Sequence, residues 1–103
     1  MSEEKMNGTE SIAAERRRQI EIEGWTPESD DAYVGGELAI AAACYVDGPG
    51  KVDQNTAPPR WPWLPIWWKP RTRREDLVRA GALIAAEIDR LDRLAACAVK
   101  TEG

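Results

Sequence analysis

Residues 73–98 read RREDLVRAGALIAAEIDRLDRLAACA and form the longest stretch with helical periodicity in the chain. Just before it, Thr72 and Glu75 match a capping box, in which each side chain accepts a hydrogen bond from the other residue's backbone N–H. On a helical wheel, one broad apolar stripe contains Leu77, Ala80, Gly81, Leu83, Ile84, Ile88, Leu91, Leu94 and Ala95. Glu87 falls near the middle of this stripe. The pattern predicts a helix over about 73–98 whose apolar face packs on other helices and on another subunit.

A shorter helix is predicted over about 10–23. Thr9 or Ser11 is its expected N-cap, and Gly24 is the residue type that closes a helix most easily. Arg16 falls on the narrow apolar stripe of this helix. We therefore expect the Arg16 guanidinium to face inward.

Another helix, GELAIAAACYV, is predicted over about 36–46. Its apolar residues point in almost every direction, which indicates burial on most sides, and Glu37 is its only charge. Between these two helices, residues 25–35 contain the helix-start pair Thr26-Pro27 but few apolar residues. We expect a turn there, with one helical turn at most.

Aromatic and basic side chains are concentrated in residues 60–74. This segment contains four of the five tryptophans and five basic residues, without an acidic one. Three prolines in WPWLPIWWKP exclude a helix and favour an extended, polyproline-like path. We expect a long Trp- and Pro-rich loop over 47–72.

These patterns predict an all-α protein. One small helical domain of about three helices is expected over residues 9–98, with a disordered tail at 1–8 and another tail at 99–103. The domain is expected to be a homo-oligomer, because its helices are too apolar for so small a core to cover alone. No strand pattern or internal repeat competes with this interpretation.

The charge and the hydropathy of the chain restrict its partners. The formal net charge of −4 over 103 residues argues against binding to nucleic acid or to an anionic membrane, since both need a basic surface. No apolar run is long enough for a membrane helix, and the N-terminal residues do not resemble a signal peptide. We therefore expect a cytoplasmic protein.

The chain contains no histidine and only two cysteines. The first fact excludes a Ser-His-Asp triad, a Cys-His pair and the usual histidine-containing zinc sites. Cys44 and Cys97 lie in apolar or alanine-rich stretches, so we expect both thiols to be reduced and buried.

Two carboxylates, Glu37 and Glu87, lie among apolar residues and need a cation or a hydrogen-bond donor. One interpretation is an internal ion pair with Arg16 or another arginine. The other is a pocket in which they hold Mg²⁺ or accept hydrogen bonds from a ligand. Further carboxylates that could add metal-binding oxygens are Asp30, Asp31, Asp89 and Asp92.

The tryptophans also have two interpretations. They can complete a core or a subunit interface, since indole rings bury large apolar areas. Alternatively, the rings stack on a base while the neighbouring cations and the N-terminus of the last helix hold phosphates. The residues concerned are Trp61, Trp63, Trp67 and Trp68, with Arg60, Lys69, Arg71, Arg73 and Arg74.

Several short motifs together resemble a family of small bacteriophage and prophage proteins. They are Glu15-Arg16-Arg17-Arg18-Gln19, Glu23-Gly24-Trp25, Gly36-Glu37-Leu38, Trp61-Pro62-Trp63, Trp67-Trp68-Lys69-Pro70 and Ala86-Glu87-Ile88, and the resemblance covers about residues 12–94. It implies a viral origin and action inside an infected bacterium. A weaker similarity is to the all-α MazG-like nucleotide pyrophosphohydrolases, which hold Mg²⁺ with acidic residues. Only the segment Glu87 to Asp92 keeps part of their acidic pattern.

Our leading hypothesis is a non-enzymatic phage accessory protein that counters host defence by binding and sequestering a nucleotide-like immune signal. It requires no cofactor. The expected ligand-binding residues are Arg16, Trp25, Glu37, Trp61, Trp63, Trp67, Trp68, Lys69, Arg73, Arg74 and Glu87. One alternative is a Mg²⁺-dependent pyrophosphohydrolase of the MazG-like kind, and another is a protein–protein inhibitor of a host defence enzyme, with exposed tryptophans as anchors.

Overall fold

The computed structural model describes residues 6–48 and 56–102. Within these ranges the chain is all-α, as predicted, and contains no β-strand. The elements are α1 (Gly8–Glu21), α2 (Pro27–Asp30), α3 (Glu37–Asp47), a 3₁₀ turn (Pro65–Trp67) and α4 (Arg73–Glu102). Residues 1–5 of the predicted N-terminal tail and residues 49–55 of the predicted loop lie outside the described part of the chain.

The start of α1 differs from the prediction. Asn7, rather than Thr9 or Ser11, is the N-cap, and its side chain accepts a hydrogen bond of 2.8 Å from the Glu10 N–H. Glu10 accepts in return from the Asn7 N–H at 2.9 Å, which completes a capping box. The prediction was wrong because Asn7 and Glu10 satisfy each other's backbone N–H groups, and this pair is favoured over a single hydroxyl cap at Thr9 or Ser11. Gly24 lies beyond the end of α1, and its φ of 78° turns the chain toward α2.

The predicted caps of α2 and α4 are confirmed. The Thr26 hydroxyl accepts from the Ser29 N–H at 3.3 Å, and Pro27 occupies the first helical position. Glu75 donates its N–H to the Thr72 hydroxyl at 3.1 Å and accepts from the Thr72 N–H at 3.2 Å. The helix then continues to Glu102, so residues 99–102 are helical and the predicted tail is wrong there. No proline or glycine lies between Gly81 and Glu102, which explains the extension.

The core lies between α3 and α4, and α1 and α2 pack on α4 from other directions. Small side chains let the two central helices approach each other closely, and two indole rings from the following segment close the core. Its buried members are Leu38, Ala41, Ala42, Cys44, Tyr45, Trp61, Trp68, Ala80, Leu83 and Ala86. Cys44 is buried as predicted, whereas Cys97 is exposed.

The Trp- and Pro-rich segment is not extended throughout. Pro65 begins a short 3₁₀ turn, because proline is tolerated at the first position of a helical turn, where its missing N–H is not needed. Trp61 and Trp68, on either side of this turn, are buried, and Trp67 is half-exposed. The described part of this segment contains no α-helix, as predicted, but the expected polyproline-like path is interrupted by this turn.

The apolar stripe of α4 is only partly covered. Ala80 and Leu83 are buried against the rest of the chain, whereas five large apolar side chains of the stripe are 42–59% exposed: Leu77, Ile84, Ile88, Leu91 and Leu94. No helix in the described ranges has the length and apolar content needed to cross a membrane.

Candidate ligand-binding site

Tyr45 on α3 is the centre of a cluster of aromatic rings. Its ring stacks on Trp68 with a centroid distance of 4.8 Å and meets the Trp61 ring edge-on at 5.5 Å. Trp61 in turn contacts Trp63 edge-on at 5.3 Å. The helix therefore provides a rigid base on which the Trp-rich segment is ordered.

An open cleft of about 680 Å³, here called the aromatic cavity, lies beside this cluster. Its volume is within the range of small-molecule sites. Six of its lining residues are aromatic: Trp25, Tyr33, Tyr45, Trp61, Trp63 and Trp67. The Tyr33 and Trp63 rings are 5.3 Å apart, and those of Trp25 and Trp63 are 6.3 Å apart. The lining of this cleft is therefore largely aromatic.

The aromatic cavity also has polar groups at its wall. Asp30 lines it and is 1% exposed, and burial raises the pKa of its carboxyl although the Arg16 guanidinium opposes the shift. Arg16 donates from Nη2 to Asp30 Oδ2 at 2.8 Å. The Trp63 indole N–H is buried and has no acceptor among the described residues. Such an unsatisfied donor costs about 1–3 kcal/mol, so an acceptor that reached it would be bound favourably.

A second cleft, of about 430 Å³, is here called the basic cavity. Its lining includes five basic side chains and three carboxylates, so its local charge is positive although the whole chain is acidic. The basic residues are Arg18, Lys69, Arg71, Arg74 and Arg79, and the carboxylates are Glu15, Glu23 and Glu75. Trp25, Tyr45 and Trp67 line both cavities, which makes the two clefts neighbours with a shared wall.

Three of the five cations already have partners. Arg18 forms ion pairs of 2.9 and 2.8 Å with Glu15 and Glu23. Arg79 lies over the Tyr45 ring, 5.2 Å from its centroid, and donates to the Lys69 carbonyl at 2.6 Å. Arg74 donates to the Met6 carbonyl and to the Ser11 hydroxyl. These contacts fix the wall of the basic cavity.

The other two cations are available. The Lys69 ammonium lies 5.7 Å from the centroid of the Trp67 ring, and no described residue accepts a hydrogen bond from it or from the Arg71 guanidinium. Both side chains are exposed and flank the N-terminus of α4. A helix N-terminus favours anions, because its first N–H groups have no partner within the helix.

The structure brings together six of the eleven predicted site residues. Trp25, Trp61, Trp63, Trp67, Lys69 and Arg74 line one or both cavities. Arg16 lies behind the wall and positions Asp30, and Trp68 is buried beneath Tyr45. Glu37, Arg73 and Glu87 line neither cleft.

The predicted internal ion pair with Arg16 or another arginine is confirmed for Glu87, whose partner is Arg90, and is not found for Glu37 among the described residues. Arg16 pairs with Asp30 instead, because the turn after α1 brings α2 back against it. Glu37 accepts from the Gly35 N–H at 2.8 Å. Glu87 pairs with Arg90, one turn along the same helix, at 2.8 Å, and the hydrogen bonds from Arg90 lower the pKa of the Glu87 carboxyl.

The acidic residues considered as magnesium ligands do not converge. Within the described ranges, no group of three or more carboxylate, cysteine or histidine side chains is arranged to hold a metal ion. Asp31 pairs with Arg93 at 2.8 Å, and Asp89 and Asp92 are exposed on α4.

Sequence reasoning missed four of the aromatic and basic residues that line the two clefts: Tyr33, Tyr45, Arg18 and Arg79. Tyr33 lies in an irregular turn and has no periodic signal, and Tyr45 was expected only as part of a buried helix. Arg18 and Arg79 lie four residues or fewer from a glutamate, a spacing that is typical of solvated pairs on a helix surface. Only the fold shows that Tyr33 faces the aromatic cavity, that Arg18 and Arg79 face the basic cavity, and that Tyr45 lines both.

Comparisons with protein-family models, with curated proteins and with solved structures found no match to this chain. The resemblance to small phage proteins therefore stays a prediction from the sequence motifs.

Proposed function

We propose that this chain binds a nucleotide-like small molecule, with the base in the aromatic cavity and the phosphates in the basic cavity. The single observation that carries the proposal is the shared wall of Trp25, Tyr45 and Trp67. A ligand that spans this wall meets ring faces at one end and cations at the other. A nucleotide has this division between an aromatic base and an anionic group.

The aromatic cavity provides the interactions that a base needs. Stacking on an aromatic side chain contributes about 1–3 kcal/mol per base, whichever base it is. Trp63 offers both a ring face and its unsatisfied N–H, which suits a carbonyl or ring nitrogen of the base. The Asp30 carboxylate is an acceptor for an exocyclic amine.

The basic cavity provides the interactions that phosphates need. Lys69 and Arg71 are the cations of the basic cavity whose side chains have neither an ion pair nor a hydrogen-bond acceptor among the described residues, and Arg71 can hold two phosphate oxygens at once. Arg18 and Arg79 both pair with the Glu15 carboxylate. Two arginines thus share one glutamate, which keeps this wall of the basic cavity positive.

The motifs that resemble phage proteins support an anti-defence role, in which the ligand is a nucleotide signal of the host immune response. Sequestration requires tight binding and no turnover, so the site needs only the contacts described above. The experiment below compares nucleotide classes and therefore tests which class of signal the chain binds.

A second candidate function, inhibition of a host protein, is favoured by one observation. Leu64 and Ile66, at the 3₁₀ turn, are 67% and 73% exposed next to the half-exposed Trp67. An exposed apolar ridge of this kind is typical of protein-binding surfaces. Ile66 lines neither cavity, so Ile66→Ser should weaken a protein complex and leave nucleotide binding unchanged.

Isothermal titration calorimetry tests the proposal with a panel of AMP, ADP-ribose and cyclic di-AMP. Adenosine and pyrophosphate serve as the two halves of the ligand. We expect at least one nucleotide to bind more tightly than either half. Arg71→Ala should weaken it about tenfold or more, since a hydrogen bond to a charged group contributes about 1.5–3 kcal/mol.

Arg17→Ala is the matched control, because Arg17 is an exposed arginine on α1 that lines neither cavity. It should leave affinity unchanged. Failure of all three nucleotides to bind the folded wild-type protein would overturn the proposal.

A further inference from the structure

One face of α4 is apolar, and its large side chains are about half exposed, although Ile12 of α1 covers this face at Gly81. Leu77, Ile84, Ile88 and Leu91 on this face are 42%, 44%, 53% and 48% exposed. With Gly81 and Ala95, they recur at alternating intervals of four and three residues. This spacing is that of the a and d positions of a coiled coil, continued over about three heptads.

This seam faces away from the body of the protein. Ala82, Leu83, Ala86 and Arg90, which are buried, lie on the side of α4 that packs against the rest of the chain. A helix of 30 residues is about 45 Å long, whereas α3 has only 11 residues to cover it. On the seam, Gly81 is covered by the Ile12 side chain of α1.

We propose that this seam binds the same seam of a second copy of the chain, in antiparallel orientation. A heptad seam is complementary to another helix with the same repeat, and a second copy supplies one. The five large exposed side chains of α4 present on the order of 400 Å² per subunit, which is the size of a functional patch on a typical monomer. An interface of twice this area is small, so the dimer is weak and depends on concentration.

Charge selects the orientation. Glu87 and Asp92 flank the seam on its two sides, at the g and e positions of the heptad. A parallel dimer would place the Glu87 carboxylate, which already pairs with Arg90 within the chain, beside Asp92 of the second copy, where the added like charge is unfavourable. An antiparallel dimer with Ile88 opposite Leu91 of the second copy places Glu87 beside Leu94 of that copy and Asp92 beside its Ala85. The same register sets Ile84 against the small side chain of Ala95.

Sedimentation velocity over a concentration series tests the interface with the full chain and without nucleotide. We expect the wild type to shift from monomer to dimer as its concentration rises to about 100 μM. Ile88→Glu should remain monomeric, because it places charges in the seam. Ile22→Glu is the matched control: Ile22 is 75% exposed, lies outside α4, and should leave the dimer unchanged.

Circular dichroism establishes that each variant is folded, and Leu91→Gln is a milder second variant expected to weaken the dimer at least tenfold. A wild type that stays monomeric throughout, or an Ile88→Glu protein that dimerises like the wild type, would overturn the interface. Because the experiment contains no ligand, either outcome leaves the proposed nucleotide binding untouched.

Disulfide cross-linking tests the orientation in a Cys97→Ser background. An antiparallel dimer predicts cross-links when the Ile88→Cys and Leu91→Cys proteins are mixed. A parallel dimer instead predicts efficient cross-links within each variant alone, and that result would contradict the proposed orientation.

Discussion

Arg16 on α1 donates from Nη2 to Asp30 Oδ2 at the end of α2, over a distance of 2.8 Å. Asp30 is 1% exposed and the Arg16 side chain 12%, so this is a nearly buried ion pair. Arg16 also donates from Nη1 to the Trp25 carbonyl at 3.4 Å. The Arg16 guanidinium thus links α1 to Trp25, in the turn after α1, and to Asp30, at the end of α2. Both Trp25 and Asp30 line the aromatic cavity.

Replacing Asp30 should destabilise the fold. Asp30→Asn leaves the Arg16 guanidinium buried without a counter-charge, and breaking a buried pair in this way costs about 3–5 kcal/mol. We expect a loss near the lower end, about 3 kcal/mol, in the free energy of unfolding measured by urea titration. The exposed Asp92→Asn should change it by less than about 0.5 kcal/mol. Equal stabilities of the two variants would show that the pair does not hold α2.

Ile12 of α1 packs directly against Gly81 of α4. A Cβ built there lies 2.6 Å from Ile12 Cδ1 and 2.8 Å from Ile12 Cγ1. Gly81→Ala gains about 1 kcal/mol of helix propensity but costs about 1–3 kcal/mol in overpacking, so we expect a net loss of about 1 kcal/mol. Gly8→Ala, whose Cβ meets nothing within 4 Å, should not be destabilising. Thermal unfolding of both variants checks this, and a Gly81→Ala protein more stable than wild type would refute the tight packing.

Glu15 should make stability depend on pH. Burial alone would raise the pKa of this carboxyl, but the hydrogen bonds and charge of Arg18, with Gln19 and Arg79, lower it below 4.5. A lowered pKa in the folded state means that ionised Glu15 stabilises the fold above about pH 4.5 and that this contribution is lost as the pH falls through the lowered pKa. The free energy of unfolding should therefore fall less steeply between pH 6 and 3 in Glu15→Gln than in the wild type.

Glu28→Gln is the control for this pH dependence. Glu28 is exposed and has no ion-pair partner among the described residues, so its replacement should leave the pH profile as it is in the wild type. Identical profiles for Glu15→Gln and wild type would contradict the assignment.

Substitutions of Trp61 and Trp63 should affect different properties: that of Trp61 mainly stability, and that of Trp63 mainly nucleotide binding. The Trp61 N–H donates to the Leu64 carbonyl at 3.1 Å and its ring is 9% exposed, so Trp61→Phe should lower the free energy of unfolding by about 2 kcal/mol. The Trp63 N–H has no described acceptor, so Trp63→Phe should cost less than 1 kcal/mol of stability and weaken nucleotide binding about tenfold. Urea titration and calorimetry measure the two effects, and a Trp63→Phe protein with unchanged affinity would place the base elsewhere.

Local signals in the sequence predicted the parts of the fold that local chemistry determines. At the start of α4, Thr72 accepts a hydrogen bond from Glu75, three residues further on. At the start of α2, Thr26 accepts from Ser29, also three residues further on, and Pro27 takes the first helical position. The partner of Arg16 was not predictable in this way, because Asp30 is 14 residues distant and reaches it only through the turn at Gly24. The place of Tyr33 in the aromatic cavity was not predictable either, because this cavity is formed by contacts between separate elements.

The helical wheel of α4 predicts an apolar face but not which part of that face the rest of the chain covers. Its apolar stripe was correctly located, but the wheel does not say which edge is covered by the same chain. Leu83 is buried while Ile84, the next residue, is 44% exposed, because α3 is short and covers only one side.

Native mass spectrometry of the full chain, mixed with AMP, ADP-ribose and cyclic di-AMP, tests the central claim most directly. It reads the bound mass and the number of subunits in one spectrum. We predict a folded protein that carries one nucleotide per chain, and we predict that Arg71→Ala loses this mass while Arg17→Ala keeps it. A wild-type spectrum without a nucleotide adduct on any subunit state would contradict the account.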